Sequence, residues 1–159
     1  MNASGSGSSQ TPNSRPTIPP SPAARVAMVL IGLFALGASI AFYVQADVGA
    51  DPFTVLALGI SNRTGATVGV ATQLVGAGLL ILLLVADRSH IGIGTLLNAV
   101  LVGGSADIVL RFAPRPVSLV STVAMTAAAI LMMGVGVGLY VSGGLGEGAL
   151  EGVMLVLSD

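Results

Sequence analysis

The stretch YVQADVGADPFTVLALGIS, Tyr43 to Ser61, sets two aspartates, two glycines and a proline into strongly apolar sequence. Asp51 followed by Pro52 fits a helix start. An aspartate side chain accepts the free amides of a first turn, and proline at the first helical position gives up no hydrogen bond. The segment from 51 to 61 spans only about 15 Å at 1.5 Å per residue, half of a hydrocarbon core. In a membrane such a half-helix is re-entrant or lies in the interface. If it is re-entrant, its N-terminus puts a positive dipole end at depth, where an anionic group of a substrate could sit. The fold therefore turns on whether the surrounding sequence belongs in a membrane.

Composition answers that question. Hydrophobic residues make up 53% of the 159-residue chain and charged residues only 8%, with a mean hydropathy of +0.94, where soluble domains carry about a quarter charged residues. The charges leave uncharged runs of 21, 23 and 31 residues between Arg25 and Asp47, Arg63 and Asp87, and Arg115 and Glu147. Each suffices for a helix across about 30 Å of hydrocarbon. A fourth segment, 91–112, is apolar apart from Asp107 and Arg111 near its end. The expected fold is all-α, a polytopic transmembrane helical bundle with helices at about 25–46, 66–86, 92–112 and 118–142 and short segments at 51–61 and 148–158.

Residues 1–22 are rich in Ser, Gly and Pro, too polar to offset the entropy of ordering, and are expected to form a disordered tail ahead of a transmembrane domain at 23–159. Val44 and Ala46 would suit a signal-peptide cleavage site, but the preceding run exceeds an ordinary signal h-region and reads as a retained helix. With no cysteine and one histidine, thiolate and zinc chemistry are excluded and no metal or cofactor is expected. The six basic residues are scattered arginines, so no basic stripe for nucleic acid exists.

Sliding the chain along itself by 97 positions pairs Val26-Ala27-Met28 with Val123-Ala124-Met125, Gly37 with Gly134 and Tyr43-Val44 with Tyr140-Val141. The register continues through Gly49 with Gly146 and Ser61 with Ser158. We read an internal repeat of three crossings. An odd number of crossings inverts the second copy, an architecture that recurs in secondary transporters. The second copy lacks counterparts of the next two helices, so the chain is expected to be a fragment, a frameshifted product, or a half completed by self-association or by a membrane-protein partner.

These residues also resemble the YczE/YitT-like family of bacterial integral membrane proteins, in particular its YczE branch. The likeness rests on GLFALGASIAFYVQADVGADPFTVLALGIS, NRTGATVGVATQLVGAGLLILLLV, IGIGTLLNAVLVGGSADIVL and GVGLYVSGGLGEGALEGVMLVLS. It implies a multi-pass plasma-membrane protein, and its members continue past this point with two more helices. It implies hardly any chemistry.

Asp51, Pro52, Asn98 and Gln73 are the candidate substrate-binding residues, and Asp107, Glu147 and Glu151 the candidate ion or proton residues. Each has a structural reading beside the functional one. Asp51 with Pro52 serves as an N-cap. Asn98 lies on one helical face with Thr95, Val102 and Ser105, a stripe that more often ties helices together. Gln73 sits between Gly69 and Gly76 on a small-residue packing face. Asp107 and Arg111, one turn apart, suit an intrahelical ion pair near the membrane surface. Glu147 and Glu151 suit interfacial water. The glycines at 134, 136 and 138 give close helix approach, and without helices to pack on they are expected to meet lipid. GLGEGALEG lacks the strand and lysine of a phosphate loop.

No nucleophile, base and orienter can be assembled, so an enzyme is not expected. The expectation is a transporter-like or permease-like protein with a site between inverted repeats. The alternative is a non-transporting scaffold or accessory that assists other membrane or biosynthetic components. Arginines tie at three on each side, so the positive-inside rule gives no orientation; a cytoplasmic N-terminus leaves the polar tail untranslocated.

Overall fold

A computed structural model of the chain describes residues 21–86 and 93–144. These form five helices: α1 Pro22–Ala46, α2 Pro52–Thr64, α3 Val68–Ala86, α4 Ile93–Phe112 and α5 Leu119–Gly143. No strand occurs among the described residues. The tail, apart from its last two residues, and the short segment expected at 148–158 lie outside the described residues, as do Glu147 and Glu151.

Local chemistry accounts for the helix ends. Ser21 accepts the amide of Ala24 and Pro22 opens α1, one turn earlier than the expected start at 25. The turn after α1 needs Asp47 in the left-handed region, its amide donating to Tyr43 O, and Gly49 at φ +110°. Only glycine adopts that second conformation at no steric cost. Gly65 closes α2 in the left-handed conformation, donating to Ser61 O, while Ser61 Oγ donates to Ala66 O. Ser118 and Ser121 exchange hydrogen bonds as a capping box at the start of α5.

Close approaches fix the helix directions. On α1, Gly32 lies against Gly136 and Tyr140 of α5, and Gly143 at the far end of α5 lies against Val29 and Arg25, so α1 and α5 are antiparallel. Gly37 of α1 lies against Val102, Ser105 and Ala106 of α4, and Gln45 Nε2 donates to Ala113 O at 2.8 Å just beyond α4. Those two helices are parallel. Gly69 of α3 lies against Gly103 and Asp107, whereas Gly76 lies near Ala99, so α3 and α4 are antiparallel. The long helices therefore alternate in direction, as four successive crossings require. Glycines at the contacts let backbones meet where side chains would intervene, which is how helices pack when lipid supplies no hydrophobic drive between them.

Three helices, α1, α4 and α5, are by themselves long and apolar enough to cross a membrane, while α2 and the first part of α3, Val68–Leu82, form a pair bent by 119°. The buried core is small: Val29, Leu33, Ile40, Val102, Ala106 and Tyr140 form one cluster, and Ala57, Ala71 and Val75 another beneath Phe53, Ile60 and Leu79. Ile81, Val100, Ile130, Leu131 and Val135 are instead exposed. A surface this apolar matches hydrocarbon, and the molecule is a helical membrane bundle.

The glycine face of α5 is divided. Gly136 is buried against Gly32 and Leu36 of α1, correcting the expectation that it meets lipid. Gly134 and Gly138 point the other way, and a Cβ at either would meet nothing within 4 Å.

Candidate functional site

The half-helix α2 begins in the middle of the bundle. Its N-cap, Asp51, lines a cavity of about 230 Å³ together with Phe53 and Thr54, Leu36 and Ile40 of α1, Gly76 and Leu79 of α3, Asn98 and Val102 of α4, and Met133 and Val137 of α5. These are residues from the middle stretches of the four long helices, so Asp51 lies at their level. The other end of α2 reaches the edge of the bundle, where Gly65 leads into α3 beside the C-terminal part of α4. Residues 47–51 thus run inward and α2 runs outward, which is a re-entrant path. Packing of Ala57 on Ala71 and Val75 holds α2 along α3.

Asp51 is satisfied locally. Its Oδ1 accepts the amides of Phe53 at 3.0 Å and Thr54 at 3.1 Å, and its Oδ2 accepts the Thr54 hydroxyl at 2.6 Å. This is the N-cap geometry of the structural reading. The alternative, an anionic substrate group at the free amides and positive dipole end of α2, finds that position filled by the Asp51 carboxylate. Pro52 serves as the first helical residue, is exposed, and is not part of the cavity wall.

Asn98 projects to the same cavity from α4 and is half-buried. Its side-chain amide has no hydrogen-bond partner among the described residues. Of the rest of its stripe, Val102 is buried and also lines the cavity, while Thr95 and Ser105 are buried in packing, Ser105 Oγ donating to Val102 O within α4 where Gly37 presses on it. Asp51 and Asn98, both candidate substrate-binding residues, thus line one cavity.

Gln73 and Asp107 go elsewhere. Gln73 Nε2 donates to Val100 O at 2.8 Å, tying α3 to α4. It faces a groove with Leu30 and Phe34 of α1 instead of the Asp51 cavity. Asp107 is not in an ion pair with Arg111. Its Oδ1 accepts the Gly69 amide at 2.7 Å and its Oδ2 the Thr67 hydroxyl, so it caps the N-terminus of α3 from another helix. The missed signal was Thr67 and Gly69 themselves: a helix start without its own acidic cap, brought to Asp107 by glycines on both partners. Phe53, Met133 and Val137, which complete the cavity wall, carried no signal beyond being apolar. Among the described residues no group of three His, Cys, Asp or Glu side chains is placed to hold a metal ion.

A family profile described as a family of unknown function, DUF6198, matches residues 23–159. An uncharacterized protein of Haemophilus influenzae is 28% identical over 130 residues, covering 82% of this chain and 59% of that protein. The uncharacterized membrane protein YczE of Bacillus subtilis is 28% identical over 127 residues, covering 80% of this chain and 59% of its own length. The chain thus spans about three-fifths of each of these relatives. No solved structure matches it.

Proposed function

The chain belongs to the DUF6198 family of unknown function, and from that premise we propose that it is a transporter-like, permease-like membrane protein whose site is the cavity at the start of α2. One observation carries this reading: a re-entrant half-helix begins at the level of the other helices' middles, and its first residues share a cavity with all four of them. Broken helices that start near the midplane are where secondary transporters build their sites, because irregular backbone is tolerated at depth only when it lines a cavity or is buried in protein. The analogy is at the level of fold. In this reading the protein lies in the plasma membrane with its polar N-terminal tail in the cytoplasm, and no catalytic residue is involved.

The outward face of α5 favours a second reading, a non-transporting membrane component that holds another helix. Gly134 and Gly138 lie one turn apart on a surface carrying Ile130, Leu131 and Val141, a small-residue groove of the kind that receives a membrane helix. The partner in that reading is a further membrane protein or a second copy that completes the repeat.

The two readings separate in reconstituted vesicles. With radiolabelled amines, amino acids and sugars as probes, the transporter reading expects saturable uptake of at least one, lowered about tenfold or more by Asp51→Asn, the scale of one lost charge-assisted contact. No saturable uptake of any probe, with a stoichiometric partner captured from native membranes, would replace it with the second reading. A cysteine at Ser118 is expected to react with an impermeant thiol reagent from outside; reaction from inside reverses the orientation.

A further inference from the structure

The α2 cavity holds a formal negative charge that the described residues of its wall meet with neutral groups. The donors to Asp51 are two backbone amides and the Thr54 hydroxyl. Together with the helix dipole they offset part of the charge, roughly half of one elementary charge. The remaining lining side chains are Leu36, Ile40, Phe53, Leu79, Val102, Met133 and Val137, with Asn98 as the polar exception. Among the described residues no arginine, lysine or histidine lines it. A carboxylate at the level of the helix middles is costly unless a positive group pairs with it. Asn98 presents an amide, with no partner among the described residues, to the same space.

We propose that this cavity binds a small organic ammonium ion, a protonated amine carrying an apolar body. The inference rests on reading the cavity as a ligand site. Each part of the wall has a counterpart in that ligand. The ammonium N–H groups take the open side of Asp51 Oδ2 and the Asn98 carbonyl oxygen. The Phe53 ring lines the same space and favours a cation near its face. Leu79, Met133 and Val137 receive the apolar body. A benzene-sized body is within reach, since an apolar cavity of about 150 Å³ holds benzene. Anions are disfavoured because Asp51 already occupies the α2 amides and repels a second negative charge. Hard metal cations are disfavoured because they require six or more oxygen ligands, and among the described residues the side chains of the wall supply the Asp51 carboxylate, the Thr54 hydroxyl and the Asn98 carbonyl, four oxygens in all.

The test uses the whole chain in lipid nanodiscs, with benzylammonium as the probe and benzyl alcohol, benzoate, tetramethylammonium and sodium ion as comparisons, read by titration calorimetry. Benzylammonium is expected to bind about tenfold or more tightly than benzyl alcohol, the scale of one charged hydrogen bond, and benzoate not at all. Asp51→Asn keeps the helix cap, because asparagine caps as well as aspartate, and is expected to drop benzylammonium to the level of benzyl alcohol while thermal stability holds. Asn98→Leu is expected to weaken benzylammonium and leave benzyl alcohol unchanged. Equal binding of benzylammonium and benzyl alcohol overturns the proposal, as does full binding to Asp51→Asn. So does tetramethylammonium, which has no N–H, or sodium ion binding as well as benzylammonium. Amine binding without any uptake leaves this inference standing and removes the transporter reading; uptake of another solute without amine binding does the reverse.

Discussion

Two aspartates in this bundle each hold the N-terminus of a helix, and they reach it by different routes. Asp51 caps α2 from the adjacent position in sequence, through the amides two and three residues ahead. Asp107 caps α3 from α4, through the Gly69 amide 38 residues away. The first carboxylate also faces a cavity among four other helices, whereas the second faces a recess at the edge of the bundle with Thr67, Val68, Leu110 and Arg111. The difference separates two uses of one chemistry. A cap supplied locally leaves the helix start free to line a site. A cap supplied from a neighbouring helix spends the carboxylate on joining two helices.

The comparison breaks most strongly at Gly69. A Cβ there would fall on the Gly103 carbonyl and the Asp107 carboxylate at once, so Gly69→Leu is expected to part α3 from α4 and dislodge the remote cap without altering the aspartate. The expected loss is about 3 kcal/mol or more, the upper range for overpacking, and SDS titration of the reconstituted chain measures it. If Gly69→Leu unfolds at the wild-type midpoint, the close approach of α3 and α4 is wrong.

Next in size are the two alanine variants. Asp107→Ala is expected to cost about 2 to 3 kcal/mol, because it removes charge-assisted hydrogen bonds to both Thr67 and Gly69, and Asp51→Ala about 1 to 2 kcal/mol, the range of a lost N-cap. The same titration ranks them, and the reverse order would show that the local cap carries more of the fold than the remote one. The smallest effect belongs to Asp51→Asn, within about 0.5 kcal/mol of wild type because asparagine still accepts the first-turn amides. A loss as large as that of Asp51→Ala would mean that the charge of Asp51, beyond its cap, holds the structure together.

The two repeat-related helices show the same dependence on neighbours. Gly37 and Gly134 occupy the same register of the 97-residue offset. Gly37 is pressed by Ser105 and Val102 of α4, while Gly134 faces outward with nothing near its Cβ position. An identical residue in an equivalent place is buried on α1 and open on α5, because the packing partner belongs to a different element of the chain.

The sequence by itself determined the solvent, the helices and the local cap. Uncharged runs of 21 to 31 residues suit helices in hydrocarbon, where backbone amides must be paired within the protein and a helix pairs nearly all of them within its own segment. Asp51 with Pro52 announced a helix start because capping is settled within four residues. Tertiary structure decided what those parts touch. It took Gln73 away from the cavity to bind the Val100 carbonyl and turned Asp107 from a presumed partner of Arg111 into the cap of α3. It also brought Asn98 beside Asp51 across the bundle. The physical reason is range. Hydropathy and capping act over a few residues along the chain, whereas a polar side chain inside a membrane must find whichever partner the packed helices bring within hydrogen-bond distance.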